Sequence, residues 1–352
     1  MEHTQEALKE IVTKRCQGNI RDIILYLFKG KLHDGIDVII AKLLDLQPKI
    51  KDMVILMAFC SYANIMTDAS FSKLDEILDA TVSLPEMESA LRDPDISEIV
   101  QWNYNNLSFR SPVLGEYFLK KDQVTNRLFD LAEEIIKNII TYFSDEKDLV
   151  DVAKRLLRVK SYQFAYQDID DGDQKRDVFS RIDRIHDTAK GVNFANKDPL
   201  FWVQRSICQL HLADFDAAFQ FTKNAYGAAN SRHGFDTYQI DTHYATLLLE
   251  YSRFHNLDNE LRREQKAWFL LKGVLTRNKE SLYHPISACR VFESLVSKYE
   301  REIKSDSFMR NVMMEILKEI QEIIRSRQSI DRFPSVRQVS DGIRSALRRL
   351  NQ

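Results

Sequence analysis

Glycine and proline together fill 17 positions of a 352-residue chain, about 5% where an average chain carries near 12%. Sandwiches, barrels and glycine-rich nucleotide folds need many turns, so a chain this poor in breakers is predicted to be helical. The apolar spacing agrees. Ile20, Ile23, Ile24 and Leu27 fall at i, i+3, i+4 and i+7, as do Ile36, Ile39, Ile40 and Leu43, the stripe that buries one helix face. Gly30 is placed as the C-cap of the first helix, and Pro48 stops the second. At roughly 150 residues per domain, two or three domains are expected, with enough core to need no disulfide or metal staple.

Charged residues make up 29% and hydrophobic ones 44%, proportions of a soluble globular chain. A net charge of −2 gives no overall pull toward nucleic acid or an anionic membrane. Cys16, Cys60, Cys208 and Cys289 form no CxxC pair, which predicts a reducing compartment. The first 15 residues are charged from position 2 and lack the apolar centre of a signal peptide. Apolar stretches such as 53–60 fall far short of the roughly 20 residues that span a bilayer. The expected location is the cytoplasm, with no membrane partner.

Residues 49–121 have a different texture. Helices are predicted over 51–62, 70–79 and 84–92, then two alternating runs, 98–103 and 107–110, flank Tyr104-Asn-Asn. Asparagine tolerates the positive φ of a tight turn, so these read as a β-hairpin. Helix, helix, helix, hairpin is the order of a winged helix. From Pro112 onward the chain reads as helices, with polar joints at 168–177, 194–199 and 230–234.

The last 28 residues, from Arg325, hold seven arginines and two aspartates. They read as a solvated terminal helix or as a basic arm for nucleic acid or an acidic partner. Phe333 is their only aromatic, so base stacking is unsupported.

No P-loop is present, since Gly30 and Gly35 have its glycine spacing but Ile36-Asp37 stand where lysine and serine or threonine are needed, and GxGxxG and GxSxG are missing. Backbone that touches phosphate needs such glycines, so no nucleotide hydrolysis by this chain and no cofactor are expected. Asp168-Ile-Asp-Asp-Gly-Asp opens like a calcium loop, but positions six and twelve are Asp173 and Phe179, where an EF-hand needs glycine and glutamate. It reads as a solvated acidic turn. His233, Asp236, Asp241 and His243 fall within eleven residues, a set able to hold a metal or orient an imidazole base. On a helix Asp241 and His243 point about 200° apart, which favours inter-helix hydrogen bonds. Cys208 and His211, at i and i+3, read as packing residues. No catalytic or metal-binding residue is assigned.

Residues 199–230 carry the clearest pattern. Pro199 opens one helix, Ala213-Asp214 make a tight joint, and Phe215, Ala218, Phe221 and Ala225 form the apolar face of a second helix. Trp202, Phe215, Ala218 and Ala225, at spacings of 13, 3 and 7, resemble a tetratricopeptide unit, whose small residues lie where two helices cross closely. Arg205-Ser206 replaces the usual Leu-Gly, and Asn230 the closing proline. A degenerate second unit is predicted from 244–249 and 267–274, its joint at 250–262 long for a regular repeat.

Taken together, the chain resembles the carboxyl-terminal half of a bacterial STAND NTPase. Arg15-Cys-Gln-Gly-Asn-Ile-Arg-Asp22 is similar to the start of that family's helical lid, and 49–110 to its winged helix. Phe109-Arg-Ser-Pro-Val-Leu-Gly-Glu-Tyr-Phe-Leu119 is similar to the entry to its sensor array. Phe201-Trp-Val-Gln and Phe235-Asp-Thr-Tyr-Gln-Ile-Asp-Thr-His-Tyr-Ala245 are similar to stretches of the array itself. The resemblance implies a sensor that recognises a protein trigger, often a phage component, while ATP-driven oligomerisation switches on an effector. With the P-loop and Walker B acid missing, the ATPase would lie in a preceding part or in a partner subunit.

The expected fold class is mainly α: an α-solenoid of tetratricopeptide-like helix pairs, preceded by a helical lid and a winged-helix domain with one β-hairpin. Expected segments are a lid at 1–48, a winged helix at 49–121, the solenoid at 122–324 and a basic helix at 325–352. The expected function is a non-enzymatic sensor and protein-interaction module. Arg205, His211, Gln239, Asp241 and His243 are the candidate partner-binding residues, on the groove of the first helices of each pair. The alternatives are a DNA-binding regulator using 84–92 as recognition helix, and a helical hydrolase using the His233–His243 cluster. Glu86 and Glu88 against one arginine oppose the first, because phosphate contacts dominate DNA affinity.

Overall fold

The computed structural model describes residues 33–65, 71–103, 106–277, 283–326 and 334–352. Over these residues the chain is mainly helical with one two-stranded sheet. It divides into two compact units, Met1–Ala195 and Asn196–Gln352, a division that falls inside the expected 122–324 stretch. The helix around Ile20–Leu27, its Gly30 cap and the 15–22 segment lie outside the described residues. Among the described residues no helix is long and apolar enough to cross a membrane.

Unit 1 runs α1 (His33–Leu44), α2 (Pro48–Tyr62), α3 (Phe71–Leu78), α4 (Leu84–Leu91), α5 (Pro94–Ile99), β1 (Val100–Asn103), β2 (Asn106–Phe109), α6 (Pro112–Leu119), α7 (Asp122–Tyr142), α8 (Lys147–Leu156) and α9 (Gly172–Thr188). Its centre is α2, where Ile50 and every residue from Met53 to Cys60 are buried. A helix apolar all round must be covered from several sides. Helices α3, α4, α6 and α7 and strand β2 do so. From the next turns, Tyr162 inserts its ring between Phe59 and Phe129, 5.3 Å from each. Arg127 on α7 grips Asp52 on α2 through two hydrogen bonds of 2.9 and 2.7 Å. Asp37 of α1 accepts the Tyr117 hydroxyl at 2.9 Å and the Lys121 ammonium at 2.7 Å.

Local capping redraws two expected boundaries. Asp93 accepts the backbone N–H groups of Asp95 and Ile96, with Pro94 in the first turn, so a helix starts there. Glu98 and Ile99, expected in a strand, therefore belong to α5, and the hairpin contracts to β1 and β2. The strands pair antiparallel with Trp102 opposite Leu107; the turn at 104–105 lies outside the described residues. Likewise Asp171 accepts from the N–H groups of Asp173 and Gln174. The acidic stretch thus starts α9 at Gly172 instead of running as a joint to 177.

Unit 2 runs α10 (Pro199–His211), α11 (Phe215–Asn230), α12 (Tyr238–Phe254), α13 (Arg262–Arg277), α14 (Tyr283–Ala288), α15 (Arg290–Lys298), α16 (Glu300–Ser305), α17 (Ser307–Arg325) and α18 (Pro334–Asn351). Asp198 caps α10. The joint to α11 is three residues, with Ala213 at φ 61° and Asp214 accepting the Ala217 N–H. Helices α10 and α11 lie close together: Ala218 and Ala225 are fully buried, and the Ser206 hydroxyl donates to the Ala218 carbonyl at 2.7 Å. Helices α12 and α13 follow as neighbours. Their joint is 255–261, shorter than the expected 250–262, because α12 continues to Phe254.

The remaining helices pack on this start instead of extending it as further regular pairs. Helix α12 meets α14 and α15, and α13 meets α17. The basic terminal helix α18 is solvated on one face only. Val336, Val339, Ile343, Ala346, Leu347 and Leu350 are buried in the core shared with Phe292, Leu295, Leu317 and Ile320, and the arginines take the other face.

Ala218 offers a direct check on the helix crossing. Ala218→Leu adds three heavy atoms where Phe215 and Leu247 already pack, and should cost roughly 1–3 kcal/mol. Thermal unfolding followed by circular dichroism measures it. An unchanged melting temperature would count against the close crossing.

Candidate functional site

Helix α12 is the centre of unit 2's polar chemistry, and its two faces carry different networks. On one, the Asp241 carboxylate accepts from the Tyr226 hydroxyl of α11 at 2.7 Å, the Thr237 hydroxyl at 2.9 Å and the Arg277 guanidinium of α13 at 3.0 Å. One carboxylate thus ties three helices together. Burial, and then the Asp241 carboxylate beside it, push the Tyr226 hydroxyl upward from its ordinary range.

On the other face, His243 Nε2 lies 2.7 Å from the Ser206 hydroxyl of α10. Burial, and then the neighbouring His211, lower the imidazole from 6.5 to about 4, so it is neutral near pH 7. A serine beside an imidazole is the first half of a nucleophilic dyad. Here the serine is 0% exposed, donates to the Ala218 carbonyl and lies 2.9 Å from the Thr222 hydroxyl. Its oxygen is occupied within the helix crossing and offers no approach to a substrate. The pair fastens α12 to α10.

Between α11 and α12 runs a line of rings. Tyr226 meets Tyr244 at 6.0 Å, Tyr244 meets Phe219 at 6.2 Å, Phe219 meets Tyr251 at 5.7 Å, and Tyr251 meets Phe215 at 5.3 Å. Helix α13 sets cations over it. The Lys266 ammonium stands 4.8 Å from the Tyr244 ring centre and 2.9 Å from its hydroxyl, and Arg263 stands 4.9 Å from the Tyr251 ring.

The five residues singled out from the sequence separate by burial. Arg205, Asp241 and His243 are 3, 6 and 8% exposed and sit in seams between helices. Arg205 lies with its guanidinium 4.4 Å from the Phe221 ring. His211, in the last turn of α10, and Gln239, whose amide donates to the Tyr238 hydroxyl, are exposed. Asp236 accepts the Tyr238 N–H at the start of α12. The ring line was not singled out from the sequence, although Phe219 and Tyr226, and again Tyr244 and Tyr251, recur at the i, i+7 spacing of one helix face. Comparison with protein-family models, curated proteins and solved structures returns no match.

Proposed function

We propose that the chain is a non-enzymatic protein-recognition module of the kind that STAND NTPases use as sensors, working in the cytoplasm on a protein trigger. The observation that carries this reading is the pair α10–α11, packed through Ala218 and Ala225, followed by a second neighbouring pair, α12–α13. Stacked helix pairs of this tetratricopeptide-like kind recognise proteins across extended surfaces and need no activated side chain. The polar groups of unit 2 suit that role, since its serine–imidazole pair is consumed in packing. In unit 1 the order of helices and hairpin supports a winged-helix segment of the same family. Its α4 argues against DNA: Glu86 turns back on Ser83 and Arg92 pairs with Glu88, leaving little positive charge for phosphates. ATP-driven switching is assigned to a partner or preceding ATPase.

The test titrates the immobilised full chain with a panel of purified phage proteins, and with random duplex DNA at low salt. Saturable binding of one protein, without duplex binding, supports the reading. Salt-sensitive duplex binding tighter than any protein overturns it in favour of a DNA-binding regulator, and binding of neither overturns the phage trigger. Nucleotide gives a further expected result. Millimolar Mg-ATP should be neither hydrolysed nor stabilising, although a ligand at 100 times its Kd adds about 2.7 kcal/mol. A reproducible thermal shift abolished by one lysine substitution would reveal a nucleotide site, and hydrolysis above background would refute the non-enzymatic assignment.

A further inference from the structure

We infer that the face of unit 2 where α12 lies beside both α11 and α13 docks an acidic peptide segment carrying large apolar side chains. This narrows the protein-recognition reading and rests on it. The floor is aromatic: Phe219, Tyr226, Tyr244 and Tyr251 are each half-buried and in ring contact along the line described above. One wall is basic. The positions of α13 that share the helical face of Lys266 are 262, 263, 269, 270, 273 and 277, and they hold arginine, arginine, phenylalanine, leucine, glycine and arginine. No acid is among them. On α11, Lys223 stands four residues after Phe219 and three before Tyr226, on the same face.

Charge complementarity decides the occupant. Arg262 pairs with Glu260 at 2.6 Å, Arg263 lies 3.9 Å from Asp258, and Arg277 pairs with Asp241. Among the described residues Lys266 and Lys223 have no carboxylate within ion-pair distance. Lys266 is held over a ring and a neutral hydroxyl instead. A large neutral segment laid here would bury that ammonium without a counter-charge, which is costly. An acidic segment supplies the counter-charge and gives up only a bond to a tyrosine hydroxyl. One turn from Lys266, Phe269 is 76% exposed and is the anchor for the segment's apolar side chain. Single-stranded nucleic acid matches the charge less well, because its affinity comes from many phosphate contacts and only two lysines here lack an acidic partner.

The test is fluorescence anisotropy with the full chain and three labelled probes. They are a short peptide of glutamates interleaved with phenylalanine and leucine, the same peptide with lysine for each glutamate, and oligo-dT. The acidic peptide is expected to bind in a salt-sensitive manner and the basic one not. Lys266→Glu and Lys223→Glu should each weaken binding about tenfold or more, and Phe269→Ser should do likewise. All three side chains are on the surface, so melting should not change. Equal binding of both peptides, or wild-type affinity in the three variants, overturns the proposal. So does oligo-dT binding as tightly through the same residues. If the variants keep the affinity for a protein trigger found in the binding panel, this face fails while the recognition reading stands; if neither panel nor peptide binds, this face and the phage trigger both fail.

Discussion

Asp241→Ala should be among the most destabilising single substitutions in unit 2, with an expected loss of about 3 kcal/mol. Its carboxylate takes three hydrogen bonds from three helices and is 6% exposed. Bonds to a charged group contribute roughly 1.5–3 kcal/mol each, and stripping one partner from a buried pair costs roughly 3–5. The lower end applies because the Arg277 side chain is 63% exposed and regains water when its partner goes. The same exposure makes Arg277→Ala mild, under about 1 kcal/mol. Chemical denaturation of the two variants, with Tyr226→Phe completing a cycle against Asp241, measures the asymmetry. Loss from Asp241→Ala no larger than from Arg277→Ala would show that the carboxylate does not join the three helices.

The second large effect is on pH. His243 falls to about 4 in the folded chain, chiefly through burial, against 6.5 when unfolded. Below 6.5 the unfolded state therefore takes up a proton that the folded state refuses. The contribution is complete above pH 6.5 and is lost as pH falls toward 4, at up to about 1.4 kcal/mol per unit and on the order of 3 kcal/mol in all. His243→Gln keeps a polar group for Ser206 but cannot titrate. The difference in unfolding free energy between the two proteins should swing in the variant's favour as pH falls from 6.5 to 4. Curves that run parallel through that window would exclude His243 as the source.

What the sequence disclosed was local. The α10–α11 pair was legible because Pro199 opens a helix, Ala213-Asp214 make a tight joint, and Ala218 and Ala225 are small at helical spacing. Helix ends were less so. The joint between α12 and α13 carries Leu257 and Leu261, both buried, so the apolar pattern runs on through it and blurs the boundary. The start signal of α5, Asp93-Pro94, was present, but Ile99 and Val100 also fit an alternating strand. In α18 the arginines dominate the composition, but the stripe of Val336, Val339, Ile343 and Leu350 decides where the helix packs. The partners of Asp241 and His243 were out of reach, since Tyr226, Arg277 and Ser206 lie 15, 36 and 37 residues away. Nothing in a single sequence pairs them.

A stack in which each pair touches only its neighbours can gain or lose pairs during evolution and can fray from either end. The packing of α18 removes both freedoms from the carboxyl-terminal part of unit 2. It lies on α14, α15, α16 and α17, so the surface of α13 onto which a further pair would stack is already taken by the helices that α18 locks in place. One core runs from Ala245 on α12 to Leu350 on α18, and these seven helices should therefore unfold in a single step.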